Sequence, residues 1–433
     1  MKISRVEVLC ANRAVYAKVY TDNGLYGIGE SGAWGLLAAS GEAIKMFGEY
    51  LVGQDPLDIE HHWQYMYRFS HFRGAAVITK VYCEHYRWPK EKPIANGKHV
   101  YTHNELNRVC VETDEGITGY GSSWAVHNIE EIAAPIIGED PLNTERLWSK
   151  LYVPKFLGRR GNTLWTISAI DIALWDIRSK VTKLPLYQLL GGYRESIPFY
   201  IAGGYYGPDK GIPELQKEME QYVSWGAKAV KMKVGALSIK EDAARVKAVR
   251  EVIGEDVKLL LDANCAYRPY EAIEFSRQVE EYCPFWFEEP VDADDYEGYK
   301  KVAAKSAIPI AGGENESTRY GFRDLINTQA VSILNPDATC TGGVTEFLKI
   351  ASLASANGVA MSPHGQQQVH IHLDCAVPGS ILAEFYPPQY DAKVYEAFKN
   401  PIIMNADGTI SPGKEPGTGL DINEEVLKDY RIG

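Results

Sequence analysis

Residues 258–264 read KLLLDAN: three leucines in a row, then an acid, an alanine and an asparagine. A short apolar run followed by an amphipathic segment at 270–282 is the pattern of a buried strand feeding a helix. The pattern recurs on both sides. Strands are expected at 197–202, 229–234, 258–262, 285–288, 308–312, 330–335, 359–362 and 381–385. Helices are expected between them at 212–225, 239–252, 270–282, 296–305, 321–328 and 345–357, while the last strand has no clear helix after it. Alternation of this kind means a parallel sheet. Eight strands between residues 197 and 385 fit a closed β/α barrel better than an open sheet.

Barrel enzymes carry their working groups at the C-terminal ends of the strands. Here those ends read Lys231-Met232-Lys233, Asp262-Ala263-Asn264, Glu288-Glu289-Pro290, Gly313-Glu314-Asn315, Asn335-Pro336-Asp337 and Ser362-Pro363-His364, and the eighth strand carries Glu384. Any one of these acids alone is more often an ordinary salt-bridge partner. Three on consecutive strands, Asp262, Glu288 and Glu314, can converge on one point, and packing them together without a cation is costly. An all-oxygen set with positions left for water and substrate suits Mg²⁺.

Lys231 and Lys233 alternate along a strand and so face the same side. Two ammonium groups side by side, near a metal, disfavour protonation, which lowers a lysine toward the range of a general base. His364 and Asp337 stand on adjacent strand ends, where a carboxylate fixes the imidazole tautomer and raises its basicity. That supplies a second acid/base opposite the lysine. A divalent cation on a substrate carboxylate stabilises the enediolate left when the neighbouring proton is removed. Glu384, if protonated, donates a hydrogen bond to the other carboxylate oxygen, and Asn264 assists.

Upstream of the barrel the sequence repeats. Residues 19–31 read VYTDNGLYGIGES and residues 111–123 read VETDEGITGYGSS, so Thr21, Asp22, Gly24, Gly27 and Gly29 each recur 92 positions later. Gly53-Gln54-Asp55-Pro56-Leu57 recurs as Gly138-Glu139-Asp140-Pro141-Leu142, Trp63 and Tyr67 recur as Trp148 and Tyr152, and Arg73-Gly74 as Arg160-Gly161. Each copy reads as a TD-x-G hairpin within a small α+β unit. The expected organisation is a first, partial unit at 1–77, a second at 78–162, the barrel at 163–390, and a segment at 391–433 packing back on the cap. The second copy alone has a long loop after its first strand, 89–104, with Asn96, Lys98, Tyr101 and His103.

Composition narrows the partners. The 433 residues carry 45 basic and 57 acidic side chains, a net charge of −12, which argues against nucleic acid. No apolar run is long enough to span a membrane, and residues 1–5 show no signal core. The seven cysteines form no CxxC pair, so a reducing, cytoplasmic setting is the simple reading.

Taken in order and spacing, KMK, DAN, FEEP, GEN, NPD and SPH resemble the mandelate racemase subgroup of the enolase superfamily over 78–433. The resemblance implies a modified TIM-type (β/α) barrel with an N-terminal α+β capping domain, here duplicated. It implies Asp262, Glu288 and Glu314 as Mg²⁺ ligands, Lys233 as one base with Lys231 as its modulator, the His364–Asp337 pair as the other, and Glu384 as the substrate-activating glutamate. Cap loops choose the substrate in this family, a role that falls here to 89–104 and to 122–126, with Lys98, Tyr101, His103 and Asn264 as substrate contacts. The expected activity is Mg²⁺-dependent removal of the proton beside a carboxylate, most simply dehydration of a sugar acid to a 2-keto-3-deoxy acid, by a homo-oligomer. Racemisation or epimerisation of a 2-hydroxy acid is the alternative. The first cap unit, 1–77, is not needed by the family pattern.

Overall fold

In the computed structural model, which describes residues 1–11, 14–31, 37–59, 62, 63, 66 and 76–433, the chain divides into two units, Met1–Ala76 and Val77–Gly433. Tyr67, Arg73 and Gly74 of the expected repeat lie outside the described residues.

The first unit is an antiparallel meander of β1 (Ile3–Ala11), β2 (Ala14–Thr21) and β3 (Tyr26–Ser31), with a helix at Leu37–Leu51. Gly48 lets that helix lie close on β1, since a Cβ there would press on Val6 at 3.0 Å. The second unit begins with a meander of the same order, β4 (Ile78–Ala95), β5 (Val100–Thr113) and β6 (Thr118–Ser123).

The two meanders are tied by the same bonds. Thr21 N–H donates to the Leu25 carbonyl at 2.9 Å, as Thr113 does to Ile117 at 3.1 Å. Ile3 donates to Gln54 and Ile78 to Glu139, both at 2.9 Å; Gly53 donates to Ile3 and Gly138 to Ile78, both at 2.8 Å. The turn glycines Gly24 and Gly116 take φ of 89° and 77°, a region open to glycine and costly for most other residues.

One face differs. In the second unit the helix Asn162–Thr182 lies so close on β6 that a Cβ at Gly119 or Gly121 would run into the carbonyl oxygens of Ala173 and Ala169. This helix is apolar nearly all round and is buried nearly all round, as such helices must be. Among the described residues, nothing lies near a Cβ at Gly27 or Gly29, and Leu25, Tyr26 and Ile28 stand exposed.

The barrel strands are β7 (Ile197–Gly203), β8 (Ala229–Lys233), β9 (Lys258–Asp262), β10 (Trp286–Glu288), β11 (Ile310–Gly312), β12 (Ile333–Leu334), β13 (Ala360–Met361) and β14 (Ala383–Glu384). Each pairs parallel with the next from β7 to β13, and β14 pairs with β7. Met361 bridges to Ser380, which closes the ring. Alternation along the strands places Tyr200, Leu260, Trp286 and Ile333 in the barrel interior, while Ile201, Leu261 and Phe287 pack outward against the helices.

Several strands are shorter than expected, and the six helices appear at Ile212–Ser224, Ile239–Ile253, Pro269–Val279, Tyr296–Ala303, Thr318–Asn327 and Gly343–Ala356. A further helix, Gln367–Ala376, was not expected, because its glutamines and histidines blur the apolar period while nearly all of them are buried. After β14 the chain forms the hairpin β15 (Ile403–Met404) and β16 (Thr409–Ser411), and β16 pairs antiparallel with β7. The final residues return to β4: Ile432 N–H donates to the His85 carbonyl at 2.8 Å and His85 donates to Gly433 at 2.9 Å.

The expected loop at 89–104 is instead a continuation of the β4–β5 hairpin, turning only at 96–99. Pro89 and Pro93 conceal the strand in the sequence. They are tolerated because β4 is an edge strand with a register shift between Pro89 and Ile94. All seven cysteines are free thiols. Among the described residues, no helix is long and apolar enough to cross a membrane.

Candidate active site

Strand register builds the acidic cluster. Asp262 is paired with Glu288 across β9 and β10, and Glu314 follows two residues after β11. Each of these three side chains offers an oxygen lying within 4.8 Å of the others. Glu314 Oε2 is buried and has no hydrogen-bond partner among the described residues. A buried carboxylate oxygen left without a donor is costly, and a hard cation among three oxygens is the simplest group to satisfy it. The donor set therefore fits Mg²⁺.

Lys231 and Lys233 are both buried, at 1% and 7% exposure. Lys231 Nζ reaches the two oxygens of Glu288 at 3.2 and 3.1 Å and lies 3.6 Å from Glu384. Lys233 Nζ donates to Asp262 Oδ2 at 2.5 Å and sits 5.4 Å from the centre of the Tyr205 ring. The expected fall in lysine pKa is for a site holding its cation; with the acids free, the surrounding acts the other way. Burial pulls Lys233 down, but Asp262, with Tyr205 and Glu314, more than reverses it and holds the group well above its ordinary value. Lys231 is raised likewise, by Glu288 and Glu384 against burial. In turn, burial pushes Asp262 up but the two lysines hold it below the usual carboxylate range.

On the far side of the ring, His364 Nδ1 lies 3.3 Å from Asp337 Oδ2, and its Nε2 points inward, 3.6 Å from Glu314 Oε2 and 4.0 Å from Glu384 Oε2. Burial alone would lower the imidazole; Glu314, Glu384 and the bonded Asp337 push it up to about 10. Asp337 also accepts from the backbone and hydroxyl of Thr339, at 2.8 and 2.7 Å. Burial opposes its ionisation, but the bond and charge of His364, with Thr339, bring it down to about 2. His370, 3.4 Å from the other Asp337 oxygen, is a neutral neighbour: its Nε2 accepts the Ala338 N–H at 2.9 Å and its Nδ1 is bonded to the Gln366 carbonyl at 2.8 Å.

Glu384 lies between the two halves. It accepts from Gly365 N–H and from the Tyr386 hydroxyl, both at 3.3 Å. Burial raises it, but Lys231, His364 and Lys233 hold it below its ordinary value. The expected protonated donor is thus an anion in this state, because three cationic groups surround it.

Asn264, at φ 42°, turns its side chain to the cap. Its Nδ2 donates to Glu314 Oε1 at 3.4 Å, and its Oδ1 accepts from Asn96 Nδ2 at 3.0 Å. The tip of the hairpin thereby reaches the acidic cluster through two amides. Tyr101 joins this tip, its hydroxyl 3.4 Å from Asn96 Nδ2. Lys98 lies at the same turn, close enough for its charge to act on the Cys265 thiol. The contacts of His103 run elsewhere: its ring meets Thr102 at 2.8 Å and Arg87 at 3.5 Å on the exposed part of the hairpin.

The model of the mandelate racemase / muconate lactonizing enzyme N-terminal domain matches twice, at residues 2–80 and 76–191, and the enolase C-terminal domain-like model matches 214–426. The chain belongs to the mandelate racemase / muconate lactonizing enzyme family of the enolase superfamily. An arabinonate dehydratase from Saccharolobus solfataricus is 37% identical over 341 residues, covering 76% of this chain and 91% of the relative. A 3,6-anhydro-alpha-L-galactonate cycloisomerase from Streptomyces coelicolor is 31% identical over 82% of this chain and 100% of its own length. A crystal structure of a racemase from Streptomyces coelicolor A3(2) with bound magnesium superposes with a TM-score of 0.75 at 29% identity, covering 82% of this chain and 100% of that one.

In this family member, three residues near the site were not singled out from the sequence. Glu289 follows Glu288 at φ 41° and turns away from the cluster to accept both bonds of Asn315 Nδ2, at 2.8 and 3.0 Å. Its left-handed backbone is the signal: strained non-glycine residues gather at working sites. Tyr205 stands over Lys233. Trp124, in the segment after β6, stacks on His364.

Proposed function

We propose that this protein removes the proton beside the carboxylate of a sugar acid and eliminates the β-hydroxyl, giving a 2-keto-3-deoxy acid. It is then a hydro-lyase. The observation that carries this reading is a pair of proton-transfer groups on opposite sides of one acidic cluster: Lys233 meets Asp262 at one end and Nε2 of His364 meets Glu314 at the other. The dehydratase named among its relatives supports the same chemistry.

Asp262, Glu288 and Glu314 are the residues that would hold Mg²⁺. When bound, the cation supplies charge stabilisation for the enediolate. The chain's own groups do the rest. One of Lys233 and His364 takes the C2 proton. His364 then gives a proton to the β-hydroxyl, which leaves as water, and the enol collapses to the ketone with a proton gained at C3. Asp337 holds the His364 tautomer. Lys231 and Glu384 link the two halves and orient the carboxylate. Asn264, Tyr101 and Lys98 face the substrate from the rim; His103 is assigned no role. Residues 78–162 cap the barrel and 391–433 tie it back to β4. The protein works in the cytoplasm as a homo-oligomer in this reading.

Bases on both sides also permit racemisation or epimerisation at C2, and the racemase among the similar structures favours keeping that second reading. Incubation with Mg²⁺ and a panel of aldonic and aldaric acids separates the two. A 2-keto-3-deoxy product supports dehydration; no keto acid across the panel, with exchange of a 2-hydroxy acid's C2 proton into D₂O, transfers the reading to racemase.

A further inference from the structure

The His364–Asp337 pair is completed by the cap. Trp124 Nε1 donates to Asp337 Oδ2 at 2.9 Å, the same oxygen that His364 Nδ1 approaches at 3.3 Å. The indole lies nearly parallel to the imidazole, 6.0 Å between centroids with 17° between planes. The segment carrying Trp124 is held at both ends of this contact. Ser123 Oγ donates to the Thr339 carbonyl at 2.7 Å, and Asn107 Nδ2 donates to the Trp124 carbonyl at 2.8 Å.

Asp337 has no other oxygen to spare, because Oδ1 already takes both donors of Thr339. Gly365 closes its opposite side: a Cβ there would run into Asp337 Oδ2. On the side away from the acidic cluster, the imidazole is held by one edge on Oδ2 and one face on the indole. We propose that Trp124 is a positioning residue for the His364 base, so that the cap assembles one of the two proton-transfer groups as well as covering the substrate. This rests on the two-base reading above. A ring free to turn moves Nε2 away from the reacting carbon, and misplacement by an ångström costs on the order of 100-fold in rate. The effect is confined to one face, because neither contact of Trp124 touches Lys233.

The test uses the full chain with Mg²⁺ and two probes that differ only at C2, D-arabinonate and D-ribonate, following loss of the C2 proton in D₂O by NMR. The variants Lys233→Ala and His364→Asn first assign which probe depends on which base. Trp124→Ala removes both contacts, and Trp124→Phe keeps the ring face but loses the N–H. The expected result is loss on the order of 100-fold for the His364-dependent probe in Trp124→Ala, a smaller loss in Trp124→Phe, and an unchanged rate for the Lys233-dependent probe. Equal losses on both probes, or none on either, overturn the inference and leave the two-base reading standing. A parent protein silent toward both probes overturns the two-base reading and this inference with it.

Discussion

Lys233 and Asp262 are register partners across adjacent parallel strands, and their side chains meet at 2.5 Å. The same carboxylate that belongs to the metal cluster therefore holds the lysine charged. Lys233 can act as a base only when something else claims Asp262. Lys233→Ala should leave Mg²⁺ binding intact and abolish C2 exchange from one face of the substrate; calorimetric titration and D₂O exchange check the two halves. Unchanged exchange from both faces would show that the base lies elsewhere.

His364 predicts a pH dependence of stability in the metal-free protein. Its folded value of about 10 lies above the unfolded value of about 6.5. The folded state thus holds the proton more tightly, and the stability it contributes is full below pH about 6.5 and lost as pH rises through about 10. The slope in that window is at most about 1.4 kcal/mol per pH unit for one proton. Urea unfolding at several pH values should show it, and His364→Asn should flatten it. Saturating Mg²⁺ should also flatten it, since a cation beside Glu314 offsets the field that holds the proton.

The glycines of the two meanders make a matched pair of substitutions. Gly119→Ala forces a methyl into the Ala173 carbonyl and should destabilise by about 1–3 kcal/mol. Gly27→Ala, its counterpart, meets nothing among the described residues and should be neutral or gain about 0.5 kcal/mol. Thermal unfolding followed by a probe for each unit reads both.

Removal of residues 1–76 should leave kcat and KM on the dehydrated acid unchanged, because every group placed at the site belongs to Val77–Gly433. Loss of activity in a truncated protein that still unfolds cooperatively would assign the first unit a part in catalysis.

The barrel and its acids were legible because a parallel strand hands its last side chain to the mouth, so KLLLD and FWFE name both the strand and the site. The hairpin at 89–104 was not, since Pro89 and Pro93 speak against a strand unless its edge position is known. The metal-free protonation of Lys233 is not legible either: Lys231 is visible two residues away, whereas Asp262 becomes a closer neighbour only through strand pairing. Trp124 falls within the cap segment 122–126, but its pairing with Asp337, 213 residues distant along the chain, carries no sequence signal.

The hairpin tip is fastened to the barrel partly through main chain, where Tyr206 N–H donates to the Ala95 carbonyl at 2.8 Å. A bond of that kind is blind to side-chain identity. Residues beside it, such as Lys98 and Tyr101, can be exchanged while the mount stays fixed, so substrate preference can drift at the rim while the proton-transfer groups beneath remain untouched. For the reaction proposed above, the arm is the place where a designer seeking a different substrate would begin.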